Sequence, residues 1–414
     1  MKIGDVAQQY GISVDTLRFY VKEGLLIPEG QERYSRYSFQ KRDLEDLELI
    51  LRMKEQQFSL QEIHAMLALR RTSNMVEPHT ISQFKELYAQ KKTELRAKIS
   101  QLTYALESIE REEGRLSEAA PKARTATGVP LRSLSLLACP CCGGRFKLEN
   151  ADLDVRYIYR GTLRCDCGKA LPINDGIIET GNLYTGSYDS PDLKRELYTE
   201  VIGKFLSMLH KGLDEVQRFL QREARSGNVL METHINSFFF AYNHLNALPQ
   251  DCVYIVVDRY PEMLREYKRL LESLGEERDF LFIADNSFHF PIKANCVDLL
   301  VDCMSDNEFS LYDPGSYIEK MKPYLKDTAK VVGTLLSFDG VTRSQRLIHE
   351  KYPEGNELPY SRARTEKQYK EAGFSLHLLS EGTVVETAHK DRFAWSCHVP
   401  GDIMQISFML ARRK

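Results

Sequence analysis

The chain has 414 residues, 43% of them apolar and 28% charged, with a formal net charge of −3. That length predicts two or three domains, that composition is globular, and the near-neutral balance excludes a protein that holds nucleic acid by bulk positive charge. No apolar run reaches the about 18 residues of a membrane helix, and the first residues lack the apolar core of a secretion signal, so a cytoplasmic protein without membrane contact is expected.

Residues 1–71 predict a helix, a tight turn and a second helix. Val6 and Ala7 on the first can pack on Val14 and Leu17 of the second, with Gly11 at the turn and Ser13 as N-cap. Arg18, Tyr20 and Lys22 are then left to point outward, the build of a reading helix for a major groove. Glu32-Arg33-Tyr34-Ser35-Arg36-Tyr37-Ser38 reads as a wing on neighbouring phosphates. Two more helices follow, one through Asp43, Leu44, Leu47, Ile50, Leu51 and Met53, one through Leu60, Ile63, Met66 and Leu67. Positive charge is concentrated here, in Arg18, Lys22, Arg33, Arg36, Lys41 and Arg42.

This stretch resembles the MerR family of bacterial regulators. The resemblance is carried by Thr16-Leu17-Arg18-Phe19-Tyr20, Gly24-Leu25-Leu26-Ile27-Pro28, Arg36-Tyr37-Ser38 and the Asp43/Leu44/Leu47 helix, over about the first quarter of the chain. Ser35 stands where the family often has a second wing Arg. The resemblance implies promoter DNA and RNA polymerase as partners, with Thr16, Arg18, Tyr20, Lys22, Arg33, Arg36 and Tyr37 at the duplex.

Over residues 77–118, Ile81, Phe84, Tyr88, Leu95, Ile99, Leu102, Leu106, Ile109 and Leu116 recur at steps of mostly three and four. That is a coiled-coil seam, interrupted at Lys91. In the resembled family its partner is the same helix of a second subunit, so a homodimer is expected. Residues 119–134, small, polar and breaker-rich, predict a linker.

Five of the nine Cys fall between positions 139 and 167. In a reducing compartment such crowding points to metal rather than disulfides. Cys139, Cys142, Cys165 and Cys167, each pair beside Gly, are the candidate ligands of a structural zinc, and Cys141 is the spare. Residues 135–182, through Leu171-Pro172-Ile173-Asn174-Asp175-Gly176-Ile177, resemble the small zinc ribbons attached to certain rRNA and tRNA methyltransferases.

From residue 190 to 414 buried strands alternate with helices: Val229–Glu232, Val253–Asp258, Phe280–Asp285, Val297–Asp302 and Ala329–Thr334. Continuous apolar strands separated by helices predict a parallel sheet covered on both faces, with ligands at the strands' carboxyl ends. This half resembles class I S-adenosylmethionine-dependent methyltransferases. Asp258-Arg259-Tyr260-Pro261-Glu262-Met263-Leu264 matches the acid that holds the cofactor's ribose and the helix after it, and Asp285-Asn286-Ser287-Phe288-His289-Phe290-Pro291 the loop flanking its adenine. After the first strand the family's acid survives as Glu232, while His234, Asn236 and Phe238 replace its glycines. Side chains there narrow or fill the methionine end of the site. The expected ligand residues are Glu232, His234, Asn236, Asp258, Arg259, Asp285 and Asn286, for S-adenosylmethionine or a replacement small molecule. No catalytic constellation stands out. Cys303 at a strand end, Phe393 and Trp395 read as core.

The fold class expected is therefore multidomain: a winged helix-turn-helix with a long coiled-coil helix, a small four-cysteine zinc ribbon, and an α/β Rossmann-like methyltransferase fold. The function expected is a dimeric DNA-binding regulator that senses a small-molecule effector through a retired methyltransferase domain and distorts promoter DNA. An active methyltransferase with a nucleic-acid-targeting head is the alternative, and a thiol or metal sensor built on the Cys cluster ranks third.

Overall fold

The computed structural model describes residues 1–31, 36–73, 77–118, 126–194, 203–385 and 398–414. Glu32, Arg33, Tyr34 and Ser35 of the wing, residues 119–125 of the linker, and Phe393 and Trp395 lie outside the described residues. The chain forms two units, Met1–Ala120 and Pro121–Lys414.

In the first unit, helices α1 (Ile3–Tyr10) and α2 (Val14–Lys22) are followed by strands β1 (Glu29–Gln31) and β2 (Arg36–Ser38), then α3 (Lys41–Glu55), α4 (Leu60–Thr72) and α5 (Pro78–Glu118). Gly11 ends α1 at φ 64°, and the Ser13 side chain accepts from Thr16 N to start α2. β1 and β2 pair antiparallel, Glu29 opposite Ser38. The core is built from Val6, Leu17, Leu25, Leu26, Leu47, Ile50, Met53, Ile63 and Met66. Buried Asp46 holds Arg71, whose Nη2 also donates to Leu25 O, and so ties α4 back to the turn after α2.

α5 has 41 residues, about 60 Å of helix. Phe84, Leu87 and Tyr88 pack on the head core. Lys91 breaks the apolar stripe but is itself buried, between Glu62 (2.8 Å) and Glu94 (2.6 Å) with Phe58 beneath it. Beyond Leu95, Ile99, Leu102, Leu106, Ile109 and Leu116 keep the heptad step and are all more than half exposed.

The second unit is one continuous sheet. Its strands are β3 (Val129–Pro130), β4 (Phe146–Leu153), β5 (Tyr157–Cys165), β6 (Ala170–Asn174), β7 (Ile177–Glu179), β8 (Val229–Thr233), β9 (Val253–Asp258), β10 (Asp279–Ala284), β11 (Val297–Cys303), β12 (Leu325–Phe338), β13 (Phe374–Val385) and β14 (Ile403–Arg413). The order is β13-β14-β12-β11-β8-β9-β10-β7-β6-β5-β3, with β4 on β5. β8 to β12 run parallel, and β14 is antiparallel to β12 and β13. This is a doubly wound sheet whose switch point lies between β8 and β11, closed by a reversed hairpin: the methyltransferase-like fold the sequence resembles. Both faces are covered. Leu230, Tyr254, Val256, Phe280 and Phe282 enter one core, and Met231, Ile255, Val257, Leu281 and Ile283 the other. That division explains why the strands read as unbroken apolar runs.

Two expected boundaries move. The linker's last residues are structured: Val129 is fully buried on β5, and a 3-10 helix follows at Leu131–Leu136. The cysteine ribbon is not separate from the larger fold, because β7 pairs parallel with β10. Nothing local announces that junction; it arises because the edge of β10 needs a hydrogen-bonding partner.

Candidate functional site

Three sites emerge. In the head, Arg18 and Lys22 are exposed on α2, with Arg18 held by Asp15 at 2.9 Å. Thr16 is half-buried and its hydroxyl contacts Ser13 Oγ. Tyr20 corrects the sequence reading. It lies three residues after Leu17, shares its buried face, and is 6% exposed in the core. Phe19 takes the outward aromatic position instead. On the wing, Arg36 and Tyr37 lie on β2, and Tyr37 packs partly on the head core.

In the ribbon, the four Sγ atoms of Cys139, Cys142, Cys165 and Cys167 lie within 4.8 Å of one another. Cys139 faces Cys167 and Cys142 faces Cys165, each at 3.5 Å. A tetrahedral thiolate site with bonds of about 2.3 Å sets its sulfurs about 3.8 Å apart, so the donor set fits a metal ion. The tight second pair is brought in by a turn at Asp166–Gly168, where Gly168 N donates to Cys165 O at 2.9 Å. A Cβ on Gly144 would sit 3.1 Å from Cys142 Sγ and 3.2 Å from Cys165 Sγ, so any larger residue would crowd the sulfurs. Burial raises the Cys139 thiol, but the N–H groups of Cys141 and Cys142 together with the Cys167 and Cys165 thiols outweigh it and hold it below the ordinary thiol value. Cys141 is exposed and outside the cluster.

The ribbon also grips both ends of a loop in the larger fold. At one end Asn286 N donates to Asn182 O (2.6 Å). At the other, Ala138 N donates to Pro291 O (3.1 Å) and Lys293 N to Leu136 O (2.8 Å). Ala138 adjoins Cys139, so the cysteine cluster and this loop share a backbone. In protein first loaded with zinc, removing the metal with a chelator is expected to loosen residues 285–293, read as faster amide exchange there than in β11; unchanged exchange would show that the cluster does not support the loop.

The third site is a cavity of about 290 Å³ at the carboxyl ends of the parallel strands. His234, Arg259, Asn286, Phe288, Phe309 and Tyr312 line it, with Tyr184, Asp313 and Glu354 at its sides. Of the seven expected ligand residues, His234, Arg259 and Asn286 reach it. The other four are corrected because their polar atoms hold the backbone. Glu232 accepts from Phe240 N (2.6 Å) and Ala241 N (3.0 Å). Asp258 accepts from Asn236 N (3.0 Å) and Tyr260 N (2.8 Å). Asn236 bonds Asp192 N (2.9 Å), and Asp285 accepts from Thr180 Oγ1 (2.5 Å), Ser287 N and Phe288 N.

These contacts test the cofactor the fold implies. The two acids that would serve S-adenosylmethionine are engaged by the chain's own N–H groups. His234 stands where a glycine belongs, at φ 55°, its ring 5.5 Å from Phe288 and 6.1 Å from Tyr317. The residues present do not fit the methionine end of that cofactor. Burial pushes the Glu232 carboxyl up to about 8 and the His234 imidazole down to about 3. Cys303 is 1% exposed and packs in the core, where burial raises its thiol well above the ordinary value. Sequence reading missed Tyr184, Asp189, Glu308 and Tyr312, which surround Arg259; the Glu308 and Asp189 hydrogen bonds to it span 49 and 70 positions, and no local pattern marks them.

A helix-turn-helix with a two-stranded wing, carried on a long helix, defines a DNA-binding regulator. Residues 1–69 match the family described as MerR HTH family regulatory protein, and residues 44–111 the one described as MerR, DNA binding. An uncharacterised HTH-type transcriptional regulator of Haemophilus influenzae is 31% identical over 104 residues, 25% of this chain and 74% of that protein. The HTH-type transcriptional regulator CueR of Vibrio cholerae is 30% identical over 110 residues, 27% of this chain and 76% of that protein. The chain belongs to the MerR family. Among solved structures, a SAM-dependent methyltransferase from Aquifex aeolicus is similar at 15% identity and TM-score 0.34, over 53% of this chain and 98% of that one; the methyltransferase-like fold of the C-terminal unit rests on its own strand order. No helix among the described residues is long and apolar enough to cross a membrane.

Proposed function

We propose that this protein is a cytoplasmic, homodimeric transcription regulator whose C-terminal unit senses a small molecule. Two copies join through residues 77–118, grip a promoter with their heads and act on RNA polymerase by distorting the duplex. Distortion energies of a few kcal/mol suffice to change promoter occupancy. Family membership supports the DNA half. The sensing half is supported by one observation above the rest: Glu232 and Asp258 are engaged by backbone amides, yet a cavity of about 290 Å³ remains at the ends of the same strands, lined by His234 and Arg259. A pocket without its catalytic cofactor contacts recognises rather than transforms. A structural zinc on Cys139, Cys142, Cys165 and Cys167 completes the reading, filling all four coordination positions with protein and so doing no chemistry itself.

Titration calorimetry with S-adenosylmethionine and its demethylated product is expected to give no binding heat. Methyl transfer to DNA or to an rRNA fragment would replace this reading with an active enzyme. For the head, Arg18→Ala is expected to weaken binding to promoter fragments, enriched from bacterial DNA by the protein itself, by about ten-fold, the loss of roughly 1–3 kcal/mol at one duplex contact. Arg18 is exposed, so circular dichroism should stay unchanged; full affinity in the variant would remove α2 from the duplex.

A further inference from the structure

The class of ligand can be read from Arg259, and this step rests on the cavity being a sensor site. Arg259 lines the cavity with its side chain only 2% exposed. One nitrogen is used: Nη2 donates to Asp189 at 2.7 Å and to Glu308 at 2.5 Å. Nε and Nη1 are buried and have no acceptor among the described residues. The tyrosines around the guanidinium do not supply one. Tyr312 lies 3.7 Å from its central carbon, Tyr184 4.8 Å and Tyr260 5.0 Å, measured to ring centroids. The ring π-systems answer its charge, but Nε and Nη1 still have no hydrogen-bond partner among the described residues. Buried donors left without acceptors are costly. Asp258, the neighbouring acid, accepts backbone N–H groups with both oxygens.

The rest of the cavity fits a ring. Phe288 and Phe309 meet edge to face at 5.0 Å, and His234 lies 5.5 Å from Phe288. The volume is at the low end for ligand pockets. Elsewhere in the lining Glu354 accepts from Tyr184 Oη (2.5 Å) and Asp313 from Gly315 N (2.7 Å). Those carboxylates would repel a second negative group.

We propose that the cavity binds a small planar organic acid, a single ring with one carboxylate or phosphate, whose anionic group accepts from the unused donors of Arg259 while the ring lies among Phe288, Phe309 and Tyr312.

The test is calorimetric titration of the full chain with benzoate, phenyl phosphate, benzyl alcohol and benzamidine. At least one of the two acids should bind about ten-fold more tightly than benzyl alcohol, benzamidine should be rejected, and the better acid tells carboxylate from phosphate. Arg259→Met, checked for folding by circular dichroism, should abolish the preference for acid over alcohol. The proposal falls if benzamidine or benzyl alcohol binds as tightly as both acids, or if neither acid binds at millimolar concentration; neither outcome depends on the variant folding. The same ligands are then added to a promoter-binding assay. An acid that binds without changing promoter affinity leaves the anion site standing and removes the sensor role. Benzamidine alone changing promoter affinity keeps the sensor role and overturns the anion site.

Discussion

Leu102→Glu combined with Ile109→Glu is expected to turn a dimer into a monomer and to lower promoter affinity by a factor on the order of a hundred or more. Both side chains are more than 60% exposed on α5 in a single chain, so the exchange costs the isolated protomer little. Both lie on the heptad stripe that runs from Ile99 to Leu116, and a 41-residue helix with one apolar seam requires a partner along it. Across a two-fold pair the double variant removes four aliphatic side chains from that seam, roughly 1.5–3 kcal/mol each, and places four carboxylates there. A monomer keeps one reading helix and loses the gain in effective concentration that the second head provides, typically about 10²–10⁴. Sedimentation velocity gives the mass and a gel-shift assay the affinity. A dimer of undiminished stability in the double variant would place the interface elsewhere and end the proposed architecture.

Raising the pH from about 6.5 to 8 is expected to destabilise the C-terminal unit, and Glu232→Gln should flatten that dependence. Glu232 is 3% exposed, and burial raises its carboxyl to about 8 against an ordinary value of 4.5. The folded chain therefore holds a proton that the unfolded chain has released. Stability from such a group is complete below about pH 4.5 and is lost as pH climbs toward 8. Between 6.5 and 8 the loss from Glu232 alone is about 2 kcal/mol, at 1.36 kcal/mol per pH unit. Burial also raises Asp302 and Asp306, the latter with Oδ2 unpaired among the described residues, and Glu308 behind Arg259 moves the same way. His234 acts oppositely. Burial lowers its pKa to about 3, so its contribution is present above about 6.5 and lost as pH falls; it does not mask the slope in the chosen window. Urea midpoints followed by far-ultraviolet circular dichroism measure the slope. Whatever the variant's absolute stability, an unchanged slope would show that Glu232 is ionised in the fold.

Much of the architecture can be read residue by residue. Gly11, Ser13 and the Val6/Leu17 pair specify a helix-turn-helix because turn, cap and packing are settled within a dozen positions. The apolar runs at β8 to β11 specify buried parallel strands for the same reason: a strand covered on both faces has no polar alternation to interrupt it. The four cysteines are legible because thiolate chemistry leaves few alternatives for that spacing, and the fold brings all four sulfurs together. Lys91 shows the limit. On the stripe it looks like a fault, yet Glu62 on α4 neutralises it, and that carboxylate is 29 positions away.

The sequence by itself therefore determined the elements, the family of the head and the candidate metal ligands, all of which depend on periodicity and short-range chemistry. The tertiary structure decided which polar groups face the cavity. Glu232, Asp258 and Asp285 look like ligand residues along the chain, but an acid cannot show whether a backbone amide or a ligand will occupy it until the loops close. Tyr260 adjoins Arg259 in the chain, but Tyr184, Tyr312 and both acids come to it from a distant loop and helix, and two of its donors are left unsatisfied among the described residues. Hydrogen-bond saturation is a property of the folded arrangement, and at this site it separates a residue that holds the scaffold from one that is left to bind.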